Sequence, residues 1–153
     1  MRKILIFLLP IWLLGTSCEE AIELSVEEFI KRDRNATATA LASEKAAQIC
    51  LAEYGEEHES TIIALNNSGS FFMFAGEPQK ALAAYERSLK ILQKRLGKEH
   101  KALAKPYHGV ASAQAALGRY DEAIANFGAA IRCYEAWRRE YAKRSDELLR
   151  GAR

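Results

Sequence analysis

The chain has 153 residues, the size of one ordinary domain, with 22 Lys and Arg against 20 Asp and Glu, a formal charge of +2. Arg2 and Lys3 carry that excess, so the chain from Cys18 onward is formally neutral, which argues against a nucleic acid or other polyanion held through bulk charge. A hydrophobic content of 49%, only three Pro and three scattered Cys exclude a disordered chain, a disulfide scaffold and a four-ligand zinc site.

Residues 1–17 read as an address. Met1-Arg2-Lys3 is basic, Ile4 to Leu14 is an eleven-residue apolar run broken only by Pro10, and Gly15-Thr16-Ser17 are small. Eleven helical residues rise only roughly 16 Å, about half of a hydrocarbon core, so the run is too short to span. A secretory signal cleaved before Cys18 is expected. Acids follow at once, and residues 19–33 hold six acids and two bases. Residues 21–33 predict a short helix with Ile22, Val26, Phe29 and Ile30 on one face. Asn35-Ala36-Thr37 offers a turn and cap, and residues 36–54 predict a second helix.

From residue 55 the chain repeats with a period of 42. Gly55-Glu56-Glu57-His58 returns as Gly97-Lys98-Glu99-His100, and Ser70, Gly76, Ala81 and Ala83 return as Ser112, Gly118, Ala123 and Ala125. Each unit predicts a helical hairpin. The first has helices at about 60–74 and 78–95, with Gly76 as helix stop and Pro78 at the favourable first turn. Ala81, Leu82, Tyr85, Leu89 and Leu92 recur at three- and four-residue steps on the second helix. The second unit has a helix at about 102–116, with Pro106 in its first turns, a turn at Gly118, and a helix from about 121 onward. Residues 137–150 prolong that helix and are rich in charge, as a solvated end of a stack should be.

These residues resemble the tetratricopeptide repeat, in the 42-residue form of kinesin light chains. Leu65-Asn66-Asn67-Ser68-Gly69 is similar to that family's LNNLA, and Leu96-Gly97-Lys98-Glu99-His100 to its LGxxH linker. Gly76, Ala81, Tyr85 and Ser88, and again Gly118, Ala123, Phe127 and Ala130, fall on its turn Gly, small Ala, aromatic and small positions. The resemblance covers about residues 55–138 and implies an all-α fold, a short right-handed α-solenoid of stacked helix-turn-helix hairpins. The expected domains are a degenerate first hairpin at 19–54, repeats at 55–96 and 97–138, and a charged helical extension at 139–153.

The segment Leu14-Gly15-Thr16-Ser17-Cys18 resembles a bacterial lipoprotein signal ending in a lipobox. That resemblance implies lipid on Cys18 and a chain anchored to a bacterial membrane, facing the periplasm or the cell exterior. Two or three acyl chains hold a small protein firmly.

The repeat resemblance implies a non-catalytic scaffold or adaptor, with the first helix of each hairpin lining a concave groove for a peptide or protein segment. It puts Ile63, Asn66, Ser70, Met73 and Phe74 in the groove from one hairpin, and Lys105, His108, Ser112 and Ala115 from the next. Asn66 can donate to and accept from a peptide backbone; its alternative is a bond to a neighbouring helix. Lys105 can hold a carboxylate or be simply solvated. Phe71-Phe72-Met73-Phe74 cannot all face one side of a helix, so core packing is expected for most and exposure for the rest.

The alternative reading is a structural subunit of an envelope assembly, associating through its ends or convex face. Opposite charge on residues 19–33 and 132–153 allows head-to-tail self-association. No phosphate loop, metal-ligand pair or nucleophile elbow is present, so neither enzyme activity, a metal nor a cofactor is expected. His58 and His100 share one phase of the repeat and are expected as linker hydrogen bonds or helix caps. Cys50 and Cys133 lie two repeat lengths apart, beyond disulfide reach, and are expected as buried small hydrophobes.

Overall fold

The computed structural model describes residues 16–31 and 36–151. The apolar leader, the turn expected at Asn35 and the side chains of Phe29 and Ile30 lie outside the described residues. Six helices follow in order: α1 (Cys18–Lys31), α2 (Ala36–Tyr54), α3 (Glu59–Phe74), α4 (Pro78–Leu96), α5 (Ala104–Ala116) and α6 (Tyr120–Gly151). A single 3₁₀ turn, Lys101–Leu103, precedes α5 and displaces its start to Ala104, with Pro106 tolerated in the first helical turn. There is no strand among the described residues.

The helices form three antiparallel hairpins, α1–α2, α3–α4 and α5–α6, each packed on the next through α2–α3 and α4–α5. The first helices also approach one another, α1 to α3 and α3 to α5, whereas the backbones of α2, α4 and α6 stay apart. The stack is therefore closed along its inner layer and splayed along its outer layer. This is the solenoid of hairpins that the 42-residue period predicts.

Local chemistry explains the hairpins. Both turns end in the same motif: Gly76 and Gly118 have φ of 72° and 76°, conformations without penalty only for glycine. Glu77 N–H then reaches back to Phe72 O (2.9 Å), and Arg119 N–H to Gln114 O (2.9 Å), tying off the helix ends. His58 and His100 cap the starts of their hairpins, as expected. Their Nδ1 atoms accept from Ser60 N–H and Ala102 N–H, each at 3.2 Å. At α1 a reciprocal cap had no place in the sequence reading. Glu20 N–H donates to Ser17 Oγ (3.3 Å) while Ser17 N–H donates to Glu20 Oε2 (3.2 Å).

The core runs between the layers. Tyr85 is its hub, its ring held between Gly69 of α3 and Gly109 of α5. A Cβ at Gly69 would meet the ring at 2.8–2.9 Å, and one at Gly109 at 2.5–2.6 Å, so these positions require bare backbone. The Tyr85 hydroxyl meets Ser70 Oγ at 2.8 Å, which satisfies both groups, and burial pushes the phenol up from its ordinary pKa. Leu82, Leu89, Ile91 and Leu92 of the same helix belong to the same core. Each such side chain contributes about 1.5–3 kcal/mol against the entropy of ordering the chain. In α2 the buried residues are small, Ala40, Ser43, Ala46 and Ala47, which lets α1 and α3 approach closely.

Cys50 requires a correction. It is a buried residue as expected, but its sulfur is bonded to Cys18, with Cα atoms 4.5 Å apart. The register of the first hairpin causes this. Cys18 lies 13 residues before the end of α1 at Lys31, and Cys50 lies 14 residues after the start of α2 at Ala36, so the two face each other across the hairpin. Cys133 is buried and free, and burial raises its thiol above the ordinary value.

Candidate protein-binding groove

The inner layer of α1, α3 and α5 is the side on which neighbouring first helices approach one another. On α3, Ile63 is 44% exposed and Phe74 69% exposed, although Phe71 and Phe72 of the same stretch are buried. On α5, Lys105 and His108 are exposed, and Ser112 and Ala115 are half-buried beside them. His108 meets the edge of Phe127 with ring centroids 5.4 Å apart, which fixes its ring on the floor near α6. On α1 the exposed residues are Glu19, Glu20, Glu23, Leu24 and Glu27. The α1 acids stand at positions whose counterparts on α3 are buried, so they mark the open N-terminal end, and Lys105 is the exposed cation of α5.

On α3, three residues expected in the groove sit deeper. Asn66 is only 6% exposed. Its position one helical turn from Ile62 and Gly69, both buried, turns it inward, and its Oδ1 has no hydrogen-bond partner. Ser70 is half-buried and committed to Tyr85 and to the Asn66 carbonyl (3.0 Å). Met73 is half-buried and packs against the core. The exposed members of the expected set are Ile63, Phe74, Lys105 and His108.

Exposed ion pairs tie linkers to helices without building a site. Arg87 reaches Glu56 (3.1 Å) and Lys94 reaches Glu57 (2.6 Å), whose carboxyl is held below its usual range by that hydrogen bond. Pairs this exposed contribute little to stability. At the N-terminal hairpin Tyr54 donates its hydroxyl to Glu19 Oε2 (2.9 Å), and its pKa is pushed up to about 12. Among the described residues no group of His, Cys, Asp and Glu is arranged to hold a metal ion, and no helix is long and apolar enough to cross a membrane.

Cys18, the expected lipid site, is fully buried in this structure, and its N–H donates to Glu53 Oε2 (2.7 Å). A sulfur in a disulfide cannot carry a thioether lipid, so the Cys18–Cys50 bond and lipid on Cys18 are mutually exclusive. Repeat spacing separates Cys50 from Cys133 and is silent on Cys18, which lies before the clear repeats. The hairpin register was the signal that would have found the pair.

Comparison with known proteins is consistent with this architecture. The model of the family described as tetratricopeptide repeat matches residues 42–94 and 60–136. No curated protein sequence matches the chain significantly. Among solved structures, a kinesin light chain-type protein with nearly identical tetratricopeptide-like repeats from Podosopora anserina superposes with a TM-score of 0.61 at 20% identity, over 76% of this chain and 52% of that one. A point variant of that protein gives 0.61 at 21%, with the same coverage. The chain spans about half the length of these structures, and the likeness speaks to the fold. Tetratricopeptide repeats generally mediate protein–protein interaction and are typically non-catalytic. With the family model covering more than half of its residues and the hairpin stack in place, the chain belongs to the tetratricopeptide repeat family.

Proposed function

We propose that this chain is a non-catalytic adaptor that holds an extended peptide or protein segment along its inner layer. The observation that carries the reading is the exposure of Ile63 and Phe74 on α3, the middle helix of that layer, with Lys105 and His108 beside them on α5. Large apolar side chains in a concave floor, rimmed by charge, suit a segment with an apolar centre.

A random peptide library selected on the chain tests this, with every selected peptide measured again on Ile63→Asp/Lys105→Glu. Both positions are exposed, so the fold is expected to survive, which circular dichroism verifies. Loss of most binding on the variant supports the groove. Peptides that bind both forms equally contradict it.

We further propose that the chain is exported. The basic start, the short apolar run and the small residues before Cys18 support a secretory address. The Cys18–Cys50 pair fits an oxidising destination. Anchoring through lipid on Cys18, as the lipobox resemblance implies, requires that bond to be absent and Ser17, the α1 cap, to be removed. The mass of the exported chain separates the fates. A lipid-bearing chain that begins at Cys18 and leaves Cys50 free supports the anchor. A lipid-free chain with the two cysteines joined excludes it.

A further inference from the structure

The outer helices repeat one apolar stripe, and its last copy is open. On α4, Leu82, Tyr85, Leu89 and Leu92 are all buried. Their counterparts 42 residues later on α6 are Ile124, Phe127, Ile131 and Tyr134. Ile124 is 68% exposed, Ile131 57% and Tyr134 57%, while Phe127 is half-buried. The stripe does not stop where its α4 counterpart stops. Tyr120, Ile124, Phe127, Ile131, Tyr134, Arg138, Tyr141, Ser145 and Leu148 alternate steps of four and three residues along the whole helix. That is the 3.5-residue spacing of a seam between two long helices.

What covers such a seam must be a helix of matching length. α6 has 32 residues and is roughly 48 Å long, against 19 residues for α4. No other helix among the described residues approaches that length. Charge fixes the direction. Residues 120–136 carry three acids and one base, net −2, and residues 137–151 carry five bases and three acids, net +2. A parallel copy sets like against like, whereas an antiparallel copy sets each half against its opposite.

The stripe is also self-complementary in that direction. With a two-fold axis between residues 132 and 133, Ile131 faces the partner's Tyr134, Ile124 faces the partner's Tyr141 and Phe127 faces the partner's Arg138. The first two are apolar layers, and the third places a guanidinium on an aromatic ring. Four aromatic side chains per copy, at about 150–250 Å² each, bring the pair within reach of the roughly 1,200 Å² at which stable interfaces begin.

We propose that α6 pairs antiparallel with α6 of a second copy, closing the open end of the stack in an isologous dimer. This differs from head-to-tail association of unlike ends, and it leaves α3, which does not touch α6, free. It does not rest on the groove reading.

The test uses the full-length chain in mild detergent with Cys133→Ser as background, which itself should give no cross-link. Ile124→Cys/Tyr141→Cys is oxidised mildly and run on a denaturing gel without reductant. Both positions are exposed and lie roughly 25 Å apart on one helix, so they cannot join within a chain. The expected result is a covalent species of twice the 17.1 kDa chain. Each single cysteine gives little of it. Adding Ile131→Glu, an exposed position next to the axis, lowers its yield about tenfold or more. Absence of the dimer overturns the proposal. So do single cysteines that cross-link as well as the pair, which indicates parallel pairing, and a yield that Ile131→Glu leaves unchanged.

Discussion

Helices α4 and α6 carry the same apolar pattern 42 residues apart and meet different fates. On α4 the next hairpin covers Leu82, Tyr85, Leu89 and Leu92; on α6 the counterparts stand largely exposed. Tyr85 shows the mechanism, since it is 6% exposed only because α3 and α5 both present glycine to its ring. Phe127 has a floor and no lid. In a hairpin stack the helix sequence specifies a sticky face, and the neighbour supplies the burial.

Substitutions at paired positions sharpen that contrast. In urea unfolding at concentrations low enough to keep the chain monomeric, Tyr85→Ala should cost about 3–5 kcal/mol and Phe127→Ala about half as much, because one ring is enclosed and the other half-covered. Equal losses would break the comparison. The two ends differ as well. The N-terminal end is fastened covalently, so Cys50→Ala should cost about 2–4 kcal/mol. A strong reductant should match it in wild type and have no further effect on the variant.

Smaller effects separate the glycines. Gly109→Ala drives a methyl into the Tyr85 ring and should destabilise by about 1–3 kcal/mol. Gly128 of α6 would place a Cβ 3.5 Å from Arg132 Nη1 and near nothing else, so Gly128→Ala should stabilise by about 0.5–1 kcal/mol through lower chain entropy. A stabilising Gly109→Ala would mean that the packing around Tyr85 is misassigned, and a destabilising Gly128→Ala that this face of α6 is covered.

The smallest effect concerns pH. Glu19 is held below its ordinary 4.5 by its backbone hydrogen bond and then by Tyr54, so its contribution is present above that value and lost as pH falls through the depressed one. Tyr54, raised from 10.0 to about 12 by Glu19, holds its share below 10 and loses it as pH rises through 12. The urea midpoint should fall at both extremes, and Tyr54→Phe should lessen the alkaline loss.

The hairpins were legible because their signals are local. The turn glycines, Pro78 and the histidines at one repeat phase each act within a few residues, and each does what its type predicts. The Cys18–Cys50 pair was less legible, since it depends on the register between two helices whose repeat is degenerate. Asn66 illustrates a second limit. The family phrase located it on the right helix, yet its direction follows from how α3 packs between its neighbours, and that is a property of the assembled stack. Ile63, Phe74, Lys105 and His108, by contrast, stand exposed.

The central claim is that the inner layer is the working surface. Hydrogen exchange of the chain with and without a peptide selected on it tests this most directly. The account predicts new protection in residues 59–74 and 104–116, with 78–96 unchanged. Protection confined to the outer helices α2 and α4, with α3 and α5 unaffected, would contradict it.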